Sequence, residues 1–124
     1  MKPKILIVED EESIADAERM ILEDLYEIHL ASDGEMGLDM VEKIDPDVIL
    51  LDLMLPKKGG YEFCFSLRQN PKHSKKKIIM VTAKNLELDQ DKGMLIGADD
   101  YITKPFEPEE LLHVIEQVLK DGSN

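Results

Sequence analysis

The sequence predicts a single α/β domain in which five parallel strands alternate with five helices in a doubly wound sheet. The chain has 124 residues, the length of one domain, and 43% of them are apolar, which is enough for one core. Short runs of Ile, Leu and Val recur without intervening polar residues, a pattern typical of parallel strands buried on both faces. Stretches with apolar residues at helical spacing separate these runs. We therefore predict one domain over residues 1–124.

The first half of the chain contains three predicted strands, at residues 5–8, 28–31 and 48–51. A helix over residues 13–25 follows the first strand, with Ser13 as its N-cap. The apolar residues on its predicted inner face are Ile14, Ala17, Ile21 and Leu25. After a turn at residues 32–34, a second helix runs to a point before Pro46. Its predicted inner face consists of Gly37, Leu38, Val41 and Ile44.

The second half contains the strands at residues 78–81 and 100–103 and three further predicted helices. A loop at residues 56–60 leads into the third helix, residues 61–69, which turns Cys64, Leu67 and one Phe inward. The fourth helix, residues 86–96, contains Gly93, which weakens a helix by about 1 kcal/mol relative to Ala. The fifth helix covers residues 108–119, with Pro108 in its first turn. The residues on its inner face are Leu111, Leu112, Ile115, Val118 and Leu119.

Composition excludes several classes of protein. The chain has 27 acidic and 15 basic residues, a net charge of −12, so a phosphate backbone would repel it and general nucleic-acid coating is excluded. Cys64 is the only cysteine, so the chain forms no internal disulfide and a cysteine-based zinc site is not expected. This favours a reducing, cytoplasmic location. The longest apolar runs have four residues, too short to predict a membrane span.

Polar residues follow four of the predicted strands. Glu9 and Asp10 follow the first strand, Asp52 the third and Thr82 the fourth, and Lys104 lies just after the fifth. Because the carboxyl ends of parallel strands share one edge of a sheet, where such folds bind ligands, we expect these side chains to converge. Three clustered carboxylates repel one another unless a cation lies among them.

The oxygen-only ligand set favours a hard ion, and Mg²⁺ that keeps several waters fits best. Phosphate is a common further ligand of such an ion, and Thr82 and Lys104 would contact its oxygens. Asp52 lies between the metal and the lysine, where a carboxylate can accept a phosphoryl group covalently. The sequence therefore predicts phosphoryl chemistry at this edge.

Four segments at matching intervals resemble the receiver domain of two-component response regulators. They are ILIVEDEE (5–12), DVILLDLMLP (47–56), IIMVTAK (78–84) and ADDYITKPF (98–106). The resemblance extends from Ile5 to Leu119 and implies a flavodoxin-like fold with strand order 2-1-3-4-5. It also implies a cis peptide bond between Lys104 and Pro105.

The resemblance assigns a role to each matching residue. Asp52 matches the phosphoacceptor, and the metal ligands match Asp10, Glu9 through water, Asp52 itself and the backbone carbonyl of Met54. Lys104 matches the lysine that pairs with the phosphoryl group. The remaining matches are to switch residues, because Thr82 corresponds to the hydroxyl that contacts the phosphoryl group and Tyr101 to the aromatic residue that follows it inward.

The implied function is a signalling switch and not an enzyme with turnover. A sensor histidine kinase or phosphotransfer protein would donate the phosphoryl group to Asp52, and the domain would dephosphorylate itself slowly. The face formed by the fourth helix, the fifth strand and the fifth helix would then bind an effector domain or protein, or a second copy in a phosphorylation-dependent homodimer. No direct contact with nucleic acid or membrane is expected. Both a stand-alone receiver and a piece of a longer regulator or hybrid kinase remain open.

Three other functions are less consistent with the sequence. An Mg²⁺-dependent phosphohydrolase with an aspartate nucleophile commonly has a second Asp two residues later, where this chain has Met54. A flavodoxin-like redox module needs a polar, uncharged phosphate loop where residues 9–12 are all acidic. A pseudo-receiver that binds partners without phosphorylation would not need the complete set of site residues.

Two basic segments have no assigned role. Lys57 and Lys58 follow the third strand, and we hypothesise that their charge speeds capture of anionic phosphodonors. The loop at residues 72–77 precedes the fourth strand, at the opposite edge of the sheet. We interpret it as a solvated loop in preference to a nucleic-acid patch.

Overall fold

The computed structural model describes residues 2–53, 59–83 and 97–121. These residues form five strands and four helices, which in chain order are β1 Lys4–Val8, α1 Glu12–Leu22, β2 Glu27–Ala31, α2 Gly34–Ile44, β3 Val48–Asp52, α3 Gly60–Gln69, β4 Lys77–Ala83, β5 Asp100–Lys104 and α4 Pro108–Asp121. The last predicted helix is therefore α4. The helix predicted over residues 86–96 lies outside the described residues.

The strands form one parallel sheet in the order β2-β1-β3-β4-β5, which confirms the predicted topology. In the three central strands, consecutive residues are buried on both faces, and this explains why their sequences are apolar without alternation. The edge strand β2 is only partly buried, and its more polar sequence reflects that position. The register places Asp52 beside Val81 and Ala83 beside Lys104, so β4 and β5 end level with each other and two residues beyond the end of β3.

Two apolar layers hold the helices on the sheet. One layer contains Leu6, Val8 and Ile49 together with Phe63 and Cys64 of α3. The other contains alternate residues of the same strands and the inner faces of α1 and α4. The predicted inner face of α3 is confirmed, because the helix buries one of its Phe residues. The predicted inner face of α4 is confirmed as well, because Leu111, Ile115 and Val118, at spacings of three and four, are buried.

The boundaries and inner face of α1 differ from the sequence prediction. The helix begins at Glu12, with Glu11 in the N-cap position, so Ser13 is a helical residue and its assignment as N-cap is wrong. The helix ends at Leu22, and the backbone N–H groups of Leu25 and Tyr26 both donate to the Leu22 carbonyl in the turn before β2. The predicted face is rotated by about one residue, since Ala17 and Leu25 are exposed. The residues of α1 that are fully buried are Ala15, Glu18 and Leu22.

Arg68 at the end of α3 ties together three parts of the chain. Its guanidinium donates to the carbonyls of Ser74 (2.9 Å), Lys76 (2.6 Å) and Gly97 (2.8 Å). It also pairs with Asp99 at 2.9 Å. Gly97 has φ +106°, and a Cβ atom there would lie 2.8 Å from the Arg68 Nε atom. The arginine therefore fills space that a side chain at residue 97 would need.

The basic loop before β4 is engaged within the protein more than the solvated interpretation predicts. Lys72 pairs with Glu42 at 3.1 Å, and Lys76 pairs with Asp45. His73 is buried and contacts the same Glu42 carboxylate at 2.8 Å. The two lysines neutralise acidic groups at the end of α2, which leaves less charge for a nucleic acid to contact.

Within the described ranges, no helix combines the length and the apolar character that crossing a membrane requires.

Candidate functional site

The carboxyl edge of the sheet brings together most of the predicted site residues. Asp52 ends β3 and is 8% exposed, and Glu9 follows β1 and is 4% exposed. Together with the exposed Asp10, each offers a carboxylate oxygen, and the three oxygens lie within 4.8 Å of one another. The acidic cluster is thus defined as Glu9, Asp10 and Asp52.

Lys104 supplies a positive charge to this cluster from the end of β5. Its Nζ atom lies 3.1 Å from Glu9 Oε1 and 3.8 Å from Asp52 Oδ2. Burial lowers the pKa of Lys104, but the charges of Asp52 and Glu9 outweigh burial, so the net direction is upward. The ammonium is therefore a fixed charge at the site.

Glu9 is held between opposing influences. Burial, followed by a side-chain hydrogen bond with Asp52, raises the pKa of Glu9 to about 7, although the Glu11 backbone and Lys104 act in the opposite direction. The Glu11 N–H donates to Glu9 Oε2 at 3.2 Å. Lys104 alone thus leaves the repulsion within the acidic cluster incompletely compensated. Because all three groups offer hard oxygen ligands, the cluster fits a divalent cation such as Mg²⁺.

The start of α3 fixes the backbone that carries Asp52. The Gly60 N–H donates to the Leu53 carbonyl at 3.2 Å. A Cβ atom at Gly60 would lie 2.8 Å from the Leu53 Cα atom, closer than such contacts occur. The absence of a side chain at residue 60 therefore lets α3 begin directly against the end of β3.

The structure places the two predicted switch residues differently. Thr82 is buried in β4, one residue beyond the partner of Asp52, and is level with Thr103. Tyr101 lies in β5 opposite Met80 and is 39% exposed, so its ring is not enclosed in the core. The predicted cis peptide bond between Lys104 and Pro105 is present. Met54, Lys57 and Lys58 lie outside the described residues.

Glu18 is the group near the site that the sequence reading missed. It lies on α1, is 2% exposed, and carries a pKa raised to about 8 by burial and then by the charge of Glu9. A charged residue was expected to face solvent. The available signal was its spacing, because Ala15, Glu18 and Leu22 recur at intervals of three and four, as inner-face residues do.

Comparison with known proteins agrees with this geometry. Residues 5–116 match the response regulator receiver domain family. The chain is 46% identical over 121 residues to the alkaline phosphatase synthesis transcriptional regulatory protein PhoP of Bacillus subtilis (strain 168). That match covers 97% of this chain and 50% of PhoP, so the chain spans about half the length of this curated relative.

Solved structures give the same result. A Chloroflexus aurantiacus J-10-fl protein described as a response regulator superposes with a TM-score of 0.94 at 34% identity, covering 97% of this chain and 99% of that one. The Vibrio cholerae chemotaxis protein CheY4 superposes with a TM-score of 0.89 at 32% identity, covering 95% of this chain and 99% of that one. Receiver domains generally bind Mg²⁺ in an acidic pocket and work with histidine kinases and effector domains. The chain belongs to the receiver domains of two-component response regulators, which act as phosphorylation-dependent switches.

Proposed function

We propose that Asp52 is the phosphoacceptor of this receiver domain and that a histidine kinase or phosphotransfer protein supplies the phosphoryl group. The observation that carries the proposal is the position of the Asp52 carboxylate. It ends a central strand, lies within 4.8 Å of two further carboxylates and is 3.8 Å from the Lys104 ammonium. An arriving phosphoryl group thus meets a nucleophile beside a fixed positive charge.

Glu9, Asp10 and Asp52 are the residues we assign to Mg²⁺, together with the backbone carbonyl of Met54, which lies outside the described residues. The ion, when bound, supplies positive charge that offsets the charge of the phosphoryl oxygens. Burial and the neighbouring Asp52 raise the pKa of Glu9, and a bound cation would stabilise the ionised form of Glu9. This is the basis for expecting Mg²⁺ to stabilise the folded domain.

The transfer is a displacement at phosphorus. An oxygen of the Asp52 carboxylate attacks the phosphorus of the phosphohistidine, the P–O bond forms as the P–N bond breaks, and the departing imidazole takes a proton from solvent. Lys104, which now donates to Glu9, turns toward the new phosphoryl oxygens. Water later attacks the same phosphorus and releases inorganic phosphate, so the domain dephosphorylates itself slowly and does not act as an enzyme with turnover.

The switch follows from the added charge of about −1.5 to −2. Thr82, next along β4 from the partner of Asp52, donates its hydroxyl proton to a phosphoryl oxygen, and the Tyr101 ring moves inward behind it. The face that changes contains β5, α4 and the predicted helix over residues 86–96. That face would bind an effector domain or protein, or a second copy of the chain, while the kinase contacts the carboxyl edge of the sheet, where Asp52 lies. We expect no direct contact with nucleic acid.

Two broader assignments are also proposals. We place the domain in the cytoplasm because Cys64 is its only cysteine and is buried in the core. We treat residues 1–124 as one receiver unit, whether alone or within a longer regulator.

Asp52→Asn is expected to abolish phosphorylation, because an amide cannot act as the nucleophile. Intact mass after incubation with acetyl phosphate and Mg²⁺ measures this, and the wild type should gain one phosphoryl group only when Mg²⁺ is present. Asp39→Asn, at an exposed residue of α2, is the matched control and should behave as the wild type does. Phosphoryl gain by Asp52→Asn would refute the assignment. If the wild type gains nothing from acetyl phosphate, the same comparison with a phosphohistidine donor decides between a receiver and a pseudo-receiver.

Mg²⁺ is expected to raise the thermal stability of the domain, because it binds the acidic cluster of the folded state only. At about 10 mM Mg²⁺ we expect roughly 1–2 kcal/mol, or a rise in Tm of about 4–8 °C. Differential scanning calorimetry measures the shift. Asp10→Asn should remove most of it, whereas Glu12→Gln, at an exposed residue of α1, should retain it. An unchanged Tm, or a strong preference for Zn²⁺, would contradict the proposed site.

A further inference from the structure

A groove of about 560 Å³ lies beside the phosphorylation site, between α1 and the turn that follows β5. Most of its lining is apolar and comes from Ile14 and Ile21 of α1 and from Pro105 and Phe106 of the turn. Two ionisable side chains line it as well, Glu18 and Lys104. Besides Glu9 and Asp52, Lys104 therefore has a third acidic neighbour in Glu18.

Glu18 is buried without full hydrogen bonding. It is 2% exposed, and its Oε2 atom has no hydrogen-bond partner among the residues that the structure describes. A carboxylate in such surroundings is strongly disfavoured relative to the neutral acid. Burial, then the charge of Glu9, raises the pKa of Glu18 to about 8, with Lys104 acting against them. The group is therefore mostly neutral at pH 7.

The charged groups that act on Glu18 come from three strands. They are Glu9 after β1, Asp52 in β3 and Lys104 in β5. On α1 itself, Arg19 is engaged with Glu23 at 3.0 Å, and α4 presents Pro108 to the groove. Among the residues that the structure describes, Lys104 is thus the cation that responds to the charge of Glu18, and its Nζ atom also lies 3.8 Å from Asp52 Oδ2.

We propose that Glu18 is a positioning residue for Lys104. While the Glu18 carboxyl is neutral, the Lys104 ammonium stays beside Asp52, and when the carboxyl ionises, it draws the ammonium away from Asp52. The inference rests on the proposed role of Asp52. When Glu18 is ionised, the Lys104 ammonium interacts with three carboxylates in place of two. The ionised Glu18 also adds a negative charge near the acidic cluster. Both effects oppose the approach of an anionic phosphodonor, so phosphorylation slows.

The test compares the wild type with Glu18→Gln, which keeps the shape of the neutral acid and cannot ionise. The measurement is the initial rate of phosphoryl gain from acetyl phosphate with Mg²⁺, between about pH 6 and about pH 9. We expect equal rates at the acidic end and a wild type about fivefold slower than Glu18→Gln at the alkaline end. Glu18→Asp should recover the alkaline decline, and Glu18→Leu should lack it. Parallel profiles for the wild type and Glu18→Gln would overturn the proposal.

A second readout separates this proposal from the role of Asp52. The ¹³Cε resonance of Lys104 reports where the ammonium lies and needs no phosphorylation. Both proteins should show the shift that Glu9 causes when it titrates near pH 7, and the wild type should show a further shift at higher pH that Glu18→Gln lacks. Identical titrations in the two proteins would overturn the proposal. If neither acetyl phosphate nor a phosphohistidine donor phosphorylates any variant at any pH, the proposed function fails, while this resonance still decides the role of Glu18.

Discussion

Replacing Glu18 by leucine is expected to remove a pH-dependent loss of stability on the order of 4 kcal/mol. The pKa of Glu18 rises from an ordinary value of 4.5 to about 8 in the folded protein, mainly through burial. The folded state therefore holds this proton more tightly than the unfolded chain does. Its contribution to stability is fully present below about pH 4.5, declines as the pH rises, and is lost once the pH passes about 8.

Urea unfolding at about pH 5, 7 and 9 without Mg²⁺ measures this effect. The wild type should lose stability across the series, and Glu18→Leu should lose much less and exceed the wild type at the alkaline end. Asp16→Leu, at a half-exposed acid of the same helix, is the matched control and should follow the wild-type slope. Equal slopes for the wild type and Glu18→Leu would contradict the burial of an isolated carboxyl.

Lys104→Met is expected to destabilise the metal-free protein by about 3 kcal/mol at about pH 8.5, because it leaves the buried Glu9 without its cation. At about pH 5 the loss should be under about 1 kcal/mol. Glu9 has a pKa of about 7 even beside Lys104, so in acid it is already protonated in both proteins. Removing the Lys104 ammonium raises the pKa of Glu9 in the folded protein further. The stability that protonated Glu9 contributes is then lost over a wider pH range, so the total loss at alkaline pH is larger.

Unfolding of Lys104→Met and Lys104→Arg in urea at the two pH values tests this explanation. The arginine variant retains a cation and should lose less at alkaline pH. A loss of the same size at both pH values would mean that Lys104 stabilises the fold through its packed methylene groups and not through its charge.

The fold and the strand-end residues could be predicted from sequence because both follow from one physical requirement. A strand covered on both faces must be apolar throughout, so residues 48–51 identify a central strand, and the first polar residue after such a run marks the edge of the sheet. Asp52 is identified in this way, and the structure places it 3.8 Å from Lys104, which lies at the end of the more polar fifth strand.

Features that depend on three-dimensional neighbours could not be predicted in the same way. In α1 the structure turns Glu18 inward, whereas Leu25 lies beyond the end of the helix and is exposed. The lysines before β4 were interpreted as solvated because their acidic partners lie about 30 residues away in sequence, as the Lys76–Asp45 pair illustrates with a separation of 31 residues. The long-range ion pairs are not visible in a local window of sequence, and the orientation of α1 has only the spacing of Ala15, Glu18 and Leu22 as a local signal.

The contact between Arg68 and Gly97 has a consequence for protein engineering. The Arg68 guanidinium occupies the space beside Gly97 and donates hydrogen bonds to carbonyls in the loop before β4. The end of α3, this loop and Gly97 therefore form one structural unit. A chimera that imports α3 from another scaffold must import matching residues at 74–76 and 97–99 as well. Exchanging the helix alone would leave unsatisfied carbonyls or a steric collision, so the module that can be grafted is discontinuous in sequence.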